Sequence, residues 1–415
     1  MARLWFINQY ATTPETGIGG RHHHLADALG RMGHDVVVVA ARRHHLVRDA
    51  VAAEAAPQIE KRAHHRLVRL AVPRYPHAHH PGRILAWLAF GAQLPRLPRL
   101  LGTTPDAVLY SSPSLLGYPG ARRLARRSGA RLVFEVRDIW PLTLVEVGGK
   151  SASHPLIRHM QRIEDRAYAE ADAVVSNLPN AVEHMAERGM DRSKFSWIGN
   201  GFSAHETERL VPLPADLAAQ FPADGFVVGY AGTIGTANAL YVLLDAAKRL
   251  KGRPDIRFVI VGNGRERDAL MRDARARGLD RVTFVSGVPK AMVPAVLERF
   301  DACYIGLTAV SLFRFGVSPN KLFDYLAAAR PVLFGVNAGP YRPVEAAGAG
   351  FQVPPEDPGM LAEAIERMAA LSPEERLSMG ERGRRYALEH HEYGILAKRL
   401  ESVLLLPPPQ NRAAP

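Results

Sequence analysis

The chain has 415 residues, of which 47% are hydrophobic and 23% are charged, so it is long enough for two ordinary globular domains. Because the chain has a single cysteine, Cys303, it cannot form an internal disulfide, which fits a reducing cytoplasm. Cys303 lies in an apolar run, so we expect it to be a buried structural thiol. The apolar run Ile84–Leu94 is too short to cross a bilayer, and the first residues lack the apolar core of a secretory leader.

The positive charge of the chain, formally +12, is concentrated in one region. Residues 1–200 contain 27 Lys and Arg against 17 Asp and Glu, and Arg42–Arg131 alone contains 16 basic and 4 acidic residues. Such a surface suits anionic lipid at the inner face of the plasma membrane, or a phosphorylated acceptor. The alternative is a solvated arginine-rich face. Nucleic acid is not expected as a partner, because the chain has no helix-turn-helix, zinc or RNA-binding signature.

Strand and helix patterns alternate along the chain in two series, which is typical of parallel sheets. We therefore predict two doubly wound, Rossmann-like α/β domains that face a ligand cleft. They span residues 1–205 and 206–390, and a C-terminal helix and tail follow at 391–415. The clearest strands are expected at Arg3–Tyr10, Asp35–Arg42, Ala107–Ser112, Arg131–Asp138, Phe226–Gly232, Ile256–Gly264 and Pro331–Val336.

The first glycine-rich loop, Gly17-Ile18-Gly19-Gly20, lies between the first strand and the first helix. Its backbone N–H groups can face an anion. The run His22–His24 follows, but three consecutive helical residues point in different directions and cannot all ligate one metal ion, so we predict no metal site. His24 is the histidine that we expect to face the ligand.

The strand at Arg131–Asp138 ends in polar residues. The carboxyl ends of parallel strands form the ligand edge of a sheet, so Arg137 and Asp138 are candidates for the chemistry. The alternative is a structural ion pair of Arg137 with Glu135 or with Asp138.

Two further glycine loops connect strands to helices in the second domain. They are Gly232-Thr233-Ile234-Gly235 and Gly262-Asn263-Gly264, and both allow close approach of the backbone to a phosphate. The fingerprint of a dinucleotide-binding loop would need glycine at the position of Arg267, so we do not expect this motif to bind a nicotinamide dinucleotide. Ordinary strand-to-helix turns are the alternative.

The segment Val317–Gly335 places a lysine at the start of a helix. Ser318 is predicted as the N-cap, with Asn320 and Lys321 in the first turn. A cation there opposes the helix dipole by about 0.3–1 kcal/mol. The chain also prefers arginine, with 45 Arg against eight Lys. We therefore predict that an anion binds at this helix start.

Asp324 lies one turn beyond Lys321 on the same helix face. A carboxylate at that position could accept hydrogen bonds from the hydroxyls of a ribose, and phosphate plus ribose indicates a nucleotide. The alternative is a surface ion pair between Lys321 and Asp324 that needs no ligand.

Taken together, these segments resemble the family-four retaining glycosyltransferases, which have the GT-B fold. The likeness covers almost the whole chain. It is carried by Gly19-Gly20 with His24, by FEVRDIWP, by GYAGTIGTANAL and VIVGNGRERDAL, and by SPNKLFDYLAAARPVLFG. Within the family, the sequence is most similar to bacterial amino-deoxysugar transferases, such as N-acetyl-fucosamine transferases, that build O-antigens and capsules.

The resemblance implies retaining transfer of a sugar from a nucleotide diphosphate sugar, UDP-linked, to a glycan or lipid-diphosphate-linked acceptor, with no metal or other cofactor. Asp324 falls on the second glutamate of the family's E-x7-E motif, a ribose binder, and Gly316 stands where the first would be. Lys321 becomes the cation for the diphosphate. Arg137-Asp138 falls on the family's His-Asp pair, with Asp138 on the acceptor side. The alternatives are a nucleotide-sugar 2-epimerase-like enzyme and an inactive relative that binds nucleotide sugar.

Overall fold

The structure is a computed structural model that describes residues 1–17, 20–47, 57–77, 80–207 and 210–406. The chain forms two compact units, one of Met1–Gly199 together with the chain from Tyr393 onward, and one of Asn200–Glu392. The division between them falls between Gly199 and Asn200, a few residues before the boundary that the sequence predicts at 205/206. The C-terminal helix, however, belongs to the first unit, which sequence patterns alone did not indicate.

The sheet of the first unit has eight strands within the described residues. They are β1 Arg3–Ile7, β2 Asp35–Ala41, β3 Gln58–Lys61, β4 Arg66–Leu70, β5 Ala107–Ser111, β6 Arg131–Val136, β7 Ala173–Ser176 and β8 Phe195–Trp197. Their order is β3-β4-β2-β1-β5-β6-β7-β8, and all neighbours are parallel except β3 and β4. The β3–β4 hairpin was not predicted, because β3 is polar and partly exposed and has no apolar run.

Helices cover this sheet, and their buried residues recur with the helical period; Leu25, Ala26 and Leu29 on the first of them are examples. They are α1 Arg21–Arg31, α2 Gly82–Gln93, α3 Leu97–Leu101, α4 Tyr118–Ser128, α5 Leu142–Glu146, α6 Pro155–Glu170 and α7 Ala181–Glu187. Among the described residues, no helix is long and apolar enough to cross a membrane.

The second unit has six strands in its described part, all parallel, in the order β11-β10-β9-β12-β13-β14. They are β9 Phe226–Ala231, β10 Ile256–Val261, β11 Val282–Val285, β12 Ala302–Gly306, β13 Val332–Gly335 and β14 Gly350–Val353. Cys303 is fully buried in β12, and burial raises the pKa of its thiol. This confirms the predicted structural cysteine.

The helices of the second unit alternate with its strands, as the sequence predicts. They are α8 Ala204–Thr207, α9 Ala215–Ala218, α10 Leu240–Arg249, α11 Arg267–Ala276, α12 Val293–Leu297, α13 Asn320–Ala327, α14 Pro343–Ala346, α15 Pro358–Ala370 and α16 Pro373–His391. The last helix, α17 Tyr393–Leu405, packs on α1 of the first unit. Just beyond the end of α1, His34 Nε2 lies 2.7 Å from Glu401 Oε1 of α17.

Candidate functional site

Two glycine loops of the second unit pack directly on each other at the carboxyl ends of β9 and β10. A Cβ atom at Gly262 would overlap Gly232 O, and one at Gly264 would overlap Ile234 O. The amide of Ile234 donates to Asn263 O at 2.9 Å. The packing of the two loops therefore requires these glycines, whatever the loops bind. Thr233 and Asn263 have exposed positions beside them.

Lys321 lies against the first of these loops. Its Nζ donates to Asn238 Oδ1 at 2.6 Å and to Tyr230 Oη at 3.0 Å, and it lies 4.6 Å from the centre of the Tyr230 ring. A Cβ atom at Gly232 would lie 3.2 Å from Lys321 Cε, so glycine makes room for the lysine. Within the described residues, two of the three ammonium donors are used, which leaves one for a ligand.

The environment of Lys321 also lowers the affinity of its side chain for a proton. Burial lowers the pKa of Lys321 to about 8, although the carboxylate of Asp324 opposes the shift. The side chain keeps part of its surface in contact with solvent. Lys321 is therefore mostly charged at neutral pH, and an anion bound beside it would restore part of the lost proton affinity.

The start of α13 differs from the prediction in one respect. Pro319 is the N-cap residue, and no side chain caps the helix. The predicted capping role of Ser318 is wrong, because its Oγ accepts the N–H of Asn200 at 2.9 Å, while Asn200 Nδ2 donates to Ser318 O at 2.7 Å. Asn320 is exposed as the first helical residue. The uncapped first turn can therefore donate N–H groups to a bound anion.

Asp324 has a partner that the sequence did not indicate. Lys290 Nζ donates to Asp324 Oδ1 at 2.5 Å, and this lysine is 55% exposed. The alternative pairing of Asp324 with Lys321 is therefore not the one that forms. A carboxylate has two oxygens with several acceptor positions, so Asp324 can hold Lys290 and still accept from a hydroxyl group.

Gly316, which occupies the position of the missing glutamate, has a backbone that favours glycine. Its φ is 96°, and it follows a 3-10 turn at Ser311–Phe315. A residue with a side chain would be strained in this conformation, which is essentially restricted to glycine, by about 1–3 kcal/mol. The local backbone is thus consistent with glycine, and a glutamate could not simply be restored there.

The first unit has a buried polar cluster at the carboxyl ends of β1, β5 and β6. Glu135 is its centre: it accepts from Arg21 Nε at 3.0 Å, from Ser111 Oγ at 2.5 Å and from His22 Nε2 at 2.7 Å. Burial alone would raise the pKa of Glu135, but the neighbouring His22 and Arg21 hold it well below its usual value. The predicted alternative of an Arg137–Glu135 pair is wrong, because Arg21 takes this carboxylate.

The hydrogen bonds of this cluster define the state of His22. The carboxylate of Glu135 can only accept, so His22 Nε2 donates to it, and Asn8 Nδ2 donates to His22 Nδ1 at 3.2 Å. The Asn8 amide is oriented by Tyr10 N, which donates to its Oδ1 at 2.8 Å. Burial lowers the pKa of His22, against the pull of Glu135, which agrees with a neutral ring. The cluster ties α1 to the strand ends and to Ile198 O, to which Arg21 donates at 2.7 Å.

Arg137 and Asp138 follow directly after β6. The N–H of Arg137 donates to Ser112 Oγ at 3.0 Å, while its Nε is buried with no hydrogen-bond partner in the described residues. Asp138 is exposed. A buried guanidinium donor without a partner is uncommon in folded proteins, and it is available to an anionic group.

His24, predicted to face the ligand, is stacked on Tyr393 of α17, with ring centres 4.7 Å apart and 18° between the planes. Gly20 is the N-cap of α1 with a φ of 64°, and a Cβ atom there would lie 3.1 Å from His24 Nε2. Gly17 pairs with Val47 in an isolated bridge. Gly19 lies outside the described residues. No group of His, Cys, Asp and Glu in the described part of the chain is arranged to hold a metal ion.

Two known protein families match the chain, one in each unit. Residues 16–201 match the glycosyl transferase 4-like domain, and residues 225–370 match the glycosyl transferases group 1 domain. The chain belongs to the glycosyltransferases. Lys321, Asp324 and both glycine loops of the second unit fall in the group 1 domain of this glycosyltransferase. Arg137, Asp138 and Glu135, with its partners Arg21, His22 and Ser111, fall in its 4-like domain.

Relatives and solved structures agree with this assignment. A protein of Escherichia coli K12 named as a colanic acid biosynthesis glycosyl transferase, WcaI, is 25% identical over 76% of this chain and 79% of its own length. The fold is similar to sucrose-phosphate synthase of Thermosynechococcus elongatus, with a TM-score of 0.73, 18% identity and coverage of 97% and 98% of the two chains. The fold is also similar to Anabaena HepE, solved with UDP-glucose, with a TM-score of 0.67, 16% identity and coverage of 97% of this chain and 99% of the HepE chain. The predicted GT-B fold is confirmed.

Several residues of this glycosyltransferase were not found from the sequence. Tyr230, Asn238 and Lys290 lie 91, 83 and 34 residues from the partners they contact. Arg21 and His22 reach Glu135 from more than 110 residues away. Local patterns carry no signal for such contacts. Only Glu135, which lies in an otherwise apolar strand, indicated that β6 has a polar partner.

Proposed function

We propose that the protein transfers a sugar from a UDP-linked donor, with retention, to a glycan or lipid-diphosphate-linked acceptor in bacterial surface polysaccharide synthesis. The single observation that carries the proposal is Lys321, a lysine at an uncapped helix start with one N–H donor unused in the described residues. A diphosphate is the ligand whose charge matches this combination of ammonium and amides. HepE with UDP-glucose and WcaI with colanic acid in its name support the choice of donor and pathway class.

On the donor side, the second unit supplies charge and hydrogen bonds for the diphosphate. Lys321 Nζ can turn its unused donor to a phosphate oxygen while Tyr230 and Asn238 hold the side chain in place. When the bond between the sugar and the diphosphate breaks, negative charge grows on the leaving oxygen. A cation and amides that are already positioned there stabilise the transition state more than the ground state. We propose that this stabilisation needs no metal ion.

The nucleoside part of the donor is assigned to Asp324. Its carboxylate is held by Lys290 and retains acceptor positions for the ribose hydroxyls. Exposed Thr233 and Asn263, with Gly232, Gly262 and Gly264 in the packed loops, place backbone groups on the same edge of the sheet. Ser318 contributes indirectly, since it fixes the segment before the helix to Asn200.

We assign the binding of the acceptor to Arg137 and Asp138 of the first unit. The unpartnered Nε of Arg137 suits an acceptor phosphate. Asp138 is exposed and follows it directly, so it can contact an acceptor hydroxyl. The Glu135 cluster supports both residues by fixing the end of β6, but it does not itself take part, because every member is buried. The protein would act at the inner face of the plasma membrane, where lipid-diphosphate-linked glycans are assembled.

The test is an incubation of the purified protein with labelled UDP- and GDP-sugars, with and without bacterial lipid extract. Transfer predicts that nucleotide is released and label enters the lipid or glycan fraction only when the extract is present. Formation of an epimer from the donor alone would overturn the proposal in favour of an epimerase. Binding of the nucleotide sugar without release of nucleotide would indicate an inactive relative.

A further inference from the structure

A continuous helical run of the first unit has one face exposed to solvent. It consists of α2, a 3-10 turn at Leu94–Arg96, and α3, so it extends over residues 82–101. Its buried side chains include Trp87, Phe90, Leu94 and Leu97. The exposed face follows the spacing i, i+3, i+7, i+11, i+14 and i+15, and we call it the amphipathic stripe: Leu85, Leu88, Ala92, Arg96, Arg99 and Leu100.

The stripe is apolar at one end and basic at the other. Leu85 is 61% exposed, Leu88 is 49% exposed and Leu100 is 39% exposed. Arg96 and Arg99 are exposed, and neither forms an ion pair within the part of the chain that the structure describes. Residues 82–101 contain no acidic residue. Large apolar side chains that stay in water beside unpaired cations are typical of a helix that lies on an anionic lipid surface.

The neighbouring helix adds to the positive charge. α4 packs against α2 where the backbone of Gly120 approaches Gly91 too closely for a Cβ atom. α4 has no acidic residue, and three of its arginines are exposed and unpaired among the described residues: Arg123, Arg126 and Arg127. A second copy of the chain is a poor occupant, because a two-fold contact would bury the exposed arginines of both copies against helices that supply no carboxylate.

We propose that the amphipathic stripe, with the exposed arginines of α4, is the surface by which the protein binds anionic membrane lipid. Leu85 and Leu88 would enter the headgroup layer, while Arg96 and Arg99 contact lipid phosphates. The proposal extends the proposed function, because a lipid-linked acceptor lies in that membrane. Lipid binding is nevertheless measurable without donor or acceptor.

The test is co-sedimentation of the full chain with vesicles of phosphatidylcholine alone or mixed with phosphatidylglycerol. The wild type is expected to bind the mixed vesicles, to bind them less tightly as salt is raised, and to bind neutral vesicles weakly. The double variant Leu85→Asp, Leu88→Asp and the double variant Arg96→Glu, Arg99→Glu should each lose about tenfold or more of this affinity.

Matched controls come from α16 of the second unit. Leu377 and Leu388 are 62% and 40% exposed, and Arg384 and Arg385 are exposed. The variants Leu377→Asp, Leu388→Asp and Arg384→Glu, Arg385→Glu should bind vesicles like the wild type. Circular dichroism checks folding, and unchanged UDP affinity in every variant separates this proposal from the assignment of the donor site.

Three outcomes would overturn the proposal. The first is equal binding of neutral and anionic vesicles. The second is equal loss in the stripe and control variants. The third is a wild type that binds no vesicles but changes from dimer to monomer when Leu85 and Leu88 are replaced, which would make the stripe an interface between two copies.

Discussion

Replacing Lys321 with methionine removes the ammonium but keeps most of the apolar length of the side chain. The variant therefore keeps the packing against Gly232 and the Tyr230 ring and loses the two hydrogen bonds from Nζ. If Lys321 binds the diphosphate, this change must weaken UDP binding. Lys248→Met is the matched control, because Lys248 is exposed in α10 of the same unit.

The size of the loss follows from the local electrostatics. Two unit charges 4 Å apart attract by about 4 kcal/mol at an effective dielectric constant of about 20, and a hydrogen bond to a charged group contributes about 1.5–3 kcal/mol net. The ammonium of Lys321 is already solvated by Asn238 and Tyr230 in the free protein, so the lower range applies. A loss of about 1.5–3 kcal/mol corresponds to a roughly 10- to 150-fold increase in Kd.

The assay is isothermal titration of UDP into the wild type, Lys321→Met and Lys248→Met, with thermal unfolding as the check on folding. Turnover of the donor should fall by at least the same factor, because charge on the diphosphate grows in the transition state. A Kd for Lys321→Met within about twofold of the wild type, in a protein that unfolds normally, would refute the assignment of the diphosphate to this helix start.

The remaining predictions concern pH, the ribose, the buried cluster and the missing glutamate. Since burial lowers the pKa of Lys321 to about 8 and a bound diphosphate raises it, UDP affinity should be constant just below that pH and fall above it, by at most about tenfold per pH unit. Lys321→Met should show no such fall, and a wild-type affinity that stays level to about pH 9 contradicts the idea. Asp324→Asn should weaken binding of UDP more than binding of 2′,3′-dideoxy-UDP; an equal loss for both nucleotides argues against a ribose contact. Glu135→Gln leaves the buried Arg21 without its carboxylate and should lower the free energy of unfolding in urea by about 3–5 kcal/mol. Glu183→Gln, which breaks an exposed pair with Arg192, should lower it far less, because solvent screens that pair, and similar losses for both would show that the cluster is not special. Gly316→Glu should destabilise the protein by about 1–3 kcal/mol without increasing turnover, since φ at this residue is 96°; a gain in activity would mean that the loop can adopt another backbone conformation.

Much of the fold could be predicted because parallel strands buried on both faces are continuous apolar runs. The strands around Val37 and Val259, for example, have fully buried side chains, and such runs alternate with helical periods throughout the chain. The hairpin at Gln58–Leu70 escaped prediction because its edge strand is polar. The packing of α17 on the first unit also escaped, since it depends on a return of the chain after Glu392.

The candidate site was predicted only where local patterns carry its chemistry. Lys321 stood out because it opposes a helix dipole, and the prediction of a nucleotide there stays a prediction. The prediction that Ser318 caps the helix was wrong because Asn200, 118 residues away, takes the hydroxyl. His24 stacks on Tyr393, a partner that the sequence did not indicate, and its contact with a ligand stays a prediction. Partners that come from distant strands and helices decide such roles, and a sequence window does not contain them.

The most direct test of the central claim is a structure of the protein with bound UDP. We predict that a phosphate oxygen lies within about 3 Å of Lys321 Nζ and of first-turn N–H groups of α13, with the ribose hydroxyls against Asp324. A nucleotide bound elsewhere, with Lys321 still held only by Asn238 and Tyr230, would contradict it.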